Sequence, residues 1–269
     1  MPALPRRKIG LALGGGSASG WSHVGVLRGL AEVGIRPDVV AGTSAGALVG
    51  AAWALGRLDD FERWLGSLEK RDVFGYFDFS LSGGVLKGQR LFDFFSIHVE
   101  DRPIESLAIP FGTVATDLEN GTEVWLRRGS LQAAIRASVS IPALLKPVQV
   151  DGRWCVDGSL SNPVPVSLCR ALGADVVIGV DVNAGLLGQE RPFGKDQAEP
   201  TLLEVIERTL HVVQARMTRP RLAVDPPDVL LTPGVGQIGF LEFHRAQETF
   251  EAGRKAVEAA AAELQGLLA

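Results

Sequence analysis

Short apolar runs alternate along the chain with stretches whose apolar residues recur every three or four positions. A continuous run bounded by turn residues reads as a buried strand, and the wider spacing reads as an amphipathic helix. The pattern predicts strands at Lys8–Leu13, Val39–Ala41, Pro110–Ala115, Glu123–Leu126, Val148–Val156, Val176–Val182 and Asp228–Leu231. Between them it predicts helices at Trp21–Val33, Ala47–Leu55, Leu131–Ala137, Val164–Leu172, Leu202–Met217 and Leu241–Leu268. Gly34 and Gly173 stand where helices commonly end. In the last helix Leu241, Ala246, Phe250, Gly253, Val257 and Ala260 form a packing face among charges. Strands and helices in alternation imply an α/β fold, a largely parallel central sheet flanked by helices.

Composition narrows this little further. The 269 residues, 46% of them hydrophobic, suffice for one large domain or two small ones. A net charge of -4 gives no basic footprint for nucleic acid. Cys155 and Cys169 make neither a disulfide framework nor a cysteine-rich metal site, which favours a reduced, cytoplasmic setting. Arg6-Arg7-Lys8 followed by IGLALGGGSAS imitates a signal peptide, but the apolar stretch is short and glycines follow, so a first strand is the better reading. Residues 38–55 are too rich in Gly, Ser and Ala, and too clearly interrupted by a turn, for a membrane span. Residues 185–200 (GLLGQERPFGKDQAEP) are the one linker-like stretch.

Two loops carry candidate chemistry. In DVVAGTSAGALVG, Ser44 sits between a strand end and a helix start, flanked by Gly42 and Gly46. The stretch fits a nucleophile elbow, and equally a tight turn that merely needs small residues. Upstream, Gly14-Gly15-Gly16-Ser17-Ala18-Ser19-Gly20 joins the first strand to its helix, a place where backbone N–H groups bind a phosphate or an oxyanion. Dinucleotide binding would need an acidic residue at the end of the second strand. Asp38 precedes that strand, which ends instead in Gly42-Thr43-Ser44, and no lysine makes a P-loop. An oxyanion loop beside Ser44 uses both segments at once.

A serine nucleophile needs a base, and the histidines are poorly placed. His23 precedes the serine within a helix, His211 lies inside an amphipathic helix, His98 follows an aromatic run, and His244 falls within a long helix. An aspartate is the better candidate. In VDGRWCVDGSLSNPVPV, a hairpin at Asp151-Gly152 leads to Asp157-Gly158-Ser159 at a strand end, and Asn162-Pro163 opens the next helix. Asp157 also reads as an ordinary turn aspartate, and Asp117 and Asp181 sit near strand ends too. Residues 73–98 hold 7 of the chain's 18 aromatics, including Phe92 and Phe95. They form either a satellite core or a flap over Ser44, hinged at Ser82-Gly83-Gly84.

GGGSASG with the following HVGVL, GTSAG, and DGS followed by NPVPV together resemble the patatin-like phospholipases, especially short bacterial members related to the neuropathy target esterase catalytic domain. LKGQRLFDFF, FGTVATDLENGTEVWL, AIRASVSIPALLKPVQVDG and GADVVIGVDVN extend the resemblance over roughly residues 8–183. It implies a three-layer α/β/α domain spanning residues 1–269, with residues 200–269 as a C-terminal extension. It further implies a serine–aspartate dyad without histidine: Ser44 as nucleophile, Asp157 as base, and the Gly15-Gly16-Ser17 backbone as oxyanion hole. Gly14, Gly20, Gly42, Gly46 and Gly158 complete the motifs. The implied substrate is a lipid or other acyl ester, with peripheral membrane contact and no cofactor or metal. Ser19 departs from the family, which usually has arginine there and often glycine at Ser17. Loss of that charge lends some weight to the alternative of a catalytically weak lipid-binding or regulatory module.

Overall fold

The structure is a computed structural model that describes residues 6–71, 100–185 and 199–268. The aromatic segment 73–98, with His98, and most of the linker-like stretch lie outside the described residues. Among the described residues eight strands form one sheet: β1 (Ile9–Leu13), β2 (Val39–Thr43), β3 (Phe111–Asp117), β4 (Glu123–Leu126), β5 (Val148–Val150), β6 (Arg153–Asp157), β7 (Val176–Val180) and β8 (Val229–Leu231). The centre is parallel: β1 pairs with β2 and β7, β2 with β3, and β7 with β8. Beyond it the sheet turns antiparallel, where β3 meets β4 and β6, and β5 meets β6. The hairpin expected at Asp151-Gly152 is present, and it divides the expected strand Val148–Val156 into β5 and β6.

The described helices are α1 (Ser22–Glu32), α2 (Ala45–Ala54), α3 (Leu58–Ser67), α4 (Leu131–Ser138), α5 (Val166–Ala171), α6 (Leu202–Val224), α7 (Ala246–Ala259) and α8 (Ala261–Leu268). Helices lie against both faces of the sheet. Ile9, Leu11 and Leu13 pack with residues of α1, α2, α4 and α7 in the larger core, whereas Ala12 packs with Val166, Leu168 and Cys169 on the α5 side. The period-two alternation is thus present inside a strand that reads as uniformly apolar, because both faces are buried. The α5 side tolerates only small residues on β1: a methyl on Gly10 would fall 2.4 Å from Cys169 Sγ. Cys169 and Cys155 are both free, and burial pushes the Cys169 thiol up to about 12.

Three elements differ from expectation. Helix α3 was not anticipated, although Leu58, Phe61 and Leu65 are its buried face and Asp59, Asp60, Glu62 and Arg63 lie between them. Helix α6 runs through Pro220 to Val224, seven residues past the expected end. The expected helix Leu241–Leu268 breaks into a 3-10 turn at Phe243–Arg245, then α7, then α8. No proline or glycine marks the break at Ala260.

Candidate active site

β3 is the ruler that brings the two key residues together. β4 takes one edge of β3, and β2 and β6 follow each other along the opposite edge. β2 runs parallel to β3 until Thr43 stands opposite Val114; β6 runs antiparallel until Asp157 stands opposite Ala115. The C-terminal ends of β2 and β6 therefore point at each other. The residue after β2 is Ser44, whose Oγ donates to Asp157 Oδ2 at 2.6 Å. The junction is close-packed: a methyl on Gly158 would fall 2.2 Å from the Val114 carbonyl oxygen.

Ser44 has φ 53° and ψ -120°, in the left-handed half of the map that side chains rarely enter. Such a conformation persists only where the surroundings enforce it. Here a methyl on Gly42 would lie 2.4 Å from the Gly46 oxygen, and one on Gly46 would lie 2.2 Å from the Leu13 oxygen. The Ser44 N–H donates to the buried Ser138 Oγ at 2.9 Å, tying the turn to the end of α4. The hydroxyl thus stands at the N-terminus of α2, the positive end of its dipole.

Asp157 is 3% exposed. Burial pushes its carboxyl up to about 6, against hydrogen bonds from Ser44 and the Ser159 N–H that favour the charge. The other two strand-end aspartates are occupied locally. Asp117 accepts from the Glu119 N–H and Asn120 Nδ2, and Asp181 accepts from the Asn183 N–H. Asp38, the one acidic residue near a ribose-binding position, holds the Ile9 N–H at the start of β1.

In the glycine loop, the Gly14 N–H donates to Val180 O and the Gly15 N–H to Pro163 O. Ala18 and Ser19 donate to Phe240 O and Gly16 O. The N–H groups of Gly16 and Ser17 have no protein acceptor among the described residues. The set of expected backbone donors is thereby narrowed, since Gly15 contributes an absent side chain and not a free N–H: a methyl there would meet Ser159 Oγ at 2.1 Å and Ser44 Cβ at 3.3 Å. Gly20 has a similar reason, with Ala45 Cβ 2.4 Å from any methyl it carried.

Several residues that hold this loop carry no local signal in sequence. Asn183 Nδ2 donates to Gly15 O at 2.7 Å and to Gln214 Oε1 at 3.0 Å. Ser17 Oγ donates to Phe240 O, 223 residues away. His23 Nε2 bonds Gly14 O at 2.7 Å, so that nitrogen carries the proton. Complete burial pushes His23 down to about 4 and keeps it neutral. His211 packs edge-on against Phe240, and His244 sits in the 3-10 turn after it. None of these three histidines bonds Ser44 or Asp157.

Ser44, Asp157, Ser17, Ser159 and Gln214 line one small pocket with Ile141, Leu160, Leu210 and Phe240. A hydroxyl on a buried carboxylate, two free N–H groups and an apolar wall can activate an alcohol against a carbonyl. Among the described residues no three His, Cys, Asp or Glu side chains come together in a way that could hold a metal ion, and no helix is long and apolar enough to cross a membrane.

Known proteins are similar to this chain. A family model described as patatin-like phospholipase matches residues 11–170. An uncharacterized NTE family protein of Mycobacterium tuberculosis is 32% identical over 92% of this chain and 89% of its own length. The lysophospholipase nte1 of Emericella nidulans is 29% identical over 92% of this chain, which corresponds to 18% of that larger protein. The crystal structure of VipD from Legionella pneumophila is similar in fold, with a TM-score of 0.58 at 14% identity, over 95% of this chain and 67% of that one. With the family model spanning more than half of its residues and a relative of nearly equal extent, the chain belongs to the patatin-like phospholipase family.

Proposed function

We propose that this chain, as one catalytic domain, is a serine acyl-ester hydrolase of the phospholipase A, lysophospholipase or carboxylesterase type. The observation that carries the reading is the 2.6 Å hydrogen bond from Ser44 Oγ to a buried Asp157 whose carboxyl is pushed up to about 6. A carboxylate at its ordinary value is a feeble base, and one raised toward neutrality is both ionised at pH 7 and better matched to a serine proton. Ser44 Oγ attacks the acyl carbonyl carbon while its proton passes to Asp157. The carbonyl oxygen becomes an alkoxide that accepts from the Gly16 and Ser17 N–H groups. Collapse breaks the ester bond, and the leaving alcohol oxygen takes the proton from Asp157. Water then repeats the sequence on the acyl-enzyme, with Asp157 as base, and releases the fatty acid.

The apolar lining of Ile141, Leu160, Leu210 and Phe240 supports an acyl chain as the recognised group. The printed name of the fungal relative points to lysophospholipids among the candidates. Ser19, where the family usually has arginine, supports weak dependence on headgroup charge. A lipid surface is the partner this chemistry implies, reached peripherally from the cytoplasm.

The test is hydrolysis of p-nitrophenyl esters and lysophospholipids, together with covalent labelling by a fluorophosphonate. Labelling and turnover that both vanish in Ser44→Ala support the reading. Turnover that survives in Ser44→Ala ends it, as does a wild-type protein that is neither labelled nor active.

A further inference from the structure

One polar group of the pocket has no task in the proposed reaction. Ser159 is 1% exposed, and its N–H holds Asp157 Oδ1. Its hydroxyl has no hydrogen-bond partner among the described residues. The other serine hydroxyls of the pocket are engaged, Ser17 Oγ with Phe240 O and Ser44 Oγ with Asp157. The Ser159 hydroxyl lies near enough to the Asp157 carboxylate to favour its charge, without the geometry of a hydrogen bond. Buried hydroxyls are nearly always partnered, and one that is not destabilises the fold. A group of this kind facing a binding pocket is best explained by an acceptor that arrives with the substrate.

Its position says which acceptor. Ser159 Oγ and Ser44 Cβ both lie against the bare Cα of Gly15, on the side where a methyl would be. The next two residues of that loop, Gly16 and Ser17, present the free N–H groups. The hydroxyl therefore borders the nucleophile on one side and the backbone donors on the other.

The geometry points to Ser159 Oγ as a third oxyanion donor, a catalytic residue that hydrogen-bonds the carbonyl oxygen of the bound acyl ester. The bond strengthens as that oxygen becomes an alkoxide, and no proton is transferred to or from Ser159. This inference rests on the acyl-ester hydrolase reading above. It requires that loss of the hydroxyl weaken transition-state binding without weakening the fold.

The experiment compares wild type with Ser159→Ala in three measurements on the full chain. These are kcat/KM on a p-nitrophenyl ester at pH 8, the Ki of an alkyl trifluoromethyl ketone, and Tm. The ketone adds to the serine and presents an oxyanion, so its affinity reports the donors directly. We expect kcat/KM to fall roughly 10- to 100-fold, less than for a lone side-chain donor because two N–H groups remain. The ketone Ki should rise by the same factor, and Tm should hold or increase because an unpartnered buried hydroxyl is gone. Wild-type kcat/KM in the variant overturns the inference. So does a fall in kcat/KM with unchanged ketone affinity, particularly with a displaced acid limb, which would assign the hydroxyl to Asp157 or to the hydrolytic water. A wild-type protein that neither turns over ester nor binds the ketone would remove the hydrolase reading itself, a different failure from an active protein indifferent to Ser159.

Discussion

Asn183 Nδ2 donates to the carbonyl oxygen of Gly15 at 2.7 Å, joining the end of β7 to the glycine loop 168 residues earlier. The peptide between Gly15 and Gly16 is planar, so its C=O and N–H point in opposite directions. By holding the carbonyl, Asn183 fixes where the Gly16 N–H is aimed. Gln214 on α6 in turn holds Asn183. The C-terminal part of the chain, beyond the residues matched by the family model, thus helps shape the loop.

Asn183→Ala should accordingly lower kcat about tenfold while leaving KM within a factor of two, the signature of lost transition-state positioning. The two missing buried hydrogen bonds, to Gly15 O and Gln214 Oε1, should reduce stability by about 2–4 kcal/mol. A rise in KM with kcat intact would mean that Asn183 shapes the binding pocket and not the donor.

Activity should have an acid limb near pH 6. In the proposed mechanism Asp157 must be ionised to take the serine proton, and its carboxyl is pushed up to about 6 by burial. Below that, kcat/KM should fall tenfold per pH unit. His23 is held down to about 4 and cannot set this limb. His244→Gln should retain both turnover and the limb, and Asp157→Asn should be nearly inactive. A limb that shifts or disappears in His244→Gln would bring back a histidine base.

Much of this was legible in sequence where the cause is local. The elbow is written in small residues on both sides of Ser44, because neighbouring backbone fills the space where side chains would be. Asp157 was legible as a strand-end residue, but the meeting with Ser44 depends on β2 and β6 sharing one edge of β3, which no periodicity reveals. The positioning residues were hidden for the same reason: Ser138, Pro163, Asn183 and Phe240 each act through a hydrogen bond spanning 94 or more residues. Helix α3 was missed because its three buried positions sit among charges in a short segment. Pro220 made α6 look shorter than it is, since a proline removes one N–H without ending a helix already held by its neighbours.

The elbow should reveal its strain when Ser44 is replaced in two ways. Alanine keeps a Cβ at φ 53°, whereas glycine adopts that angle freely. Both variants should be inactive. Ser44→Gly should be more stable than Ser44→Ala by about 1 kcal/mol, read as a difference in Tm or denaturation midpoint. The reverse order would mean that the turn carries no strain to release.

Helices α1 and α7 should be equally sensitive to added bulk. A methyl on Gly253 would lie 2.0 Å from the Ser22 oxygen, and one on Gly25 would lie 1.8 Å from the Phe250 oxygen. Backbone cannot yield as a flexible side chain can. Gly253→Ala should destabilise by about 1–3 kcal/mol despite the better helix propensity of alanine. A stabilised variant would show that the two helices can part without loss.

The sharpest stability test concerns Asp157 and His23, whose pH dependences oppose each other. Asp157 has an ordinary value of 3.8 and is raised to about 6 by burial, so between these values the folded chain holds a proton that the unfolded chain has lost. Stability therefore falls as pH rises through that window, and the full penalty, on the order of 3 kcal/mol, is present above pH 6. His23 is lowered from 6.5 to about 4, chiefly by burial, so in its window the unfolded chain holds the extra proton. Its contribution falls as pH drops from 6.5 toward 4. The two slopes nearly cancel in the wild type from pH 4 to 6. Asp157→Asn removes one of them while keeping an amide that can still bond Ser44 Oγ and the Ser159 N–H. The variant should be more stable than wild type at pH 8, by up to about 3 kcal/mol, and the advantage should shrink to near zero at pH 4. Urea denaturation at the two pH values measures the gap. A gap of equal size at both would mean that Asp157 carries no buried charge at neutral pH, and the base of the dyad would have to be sought elsewhere.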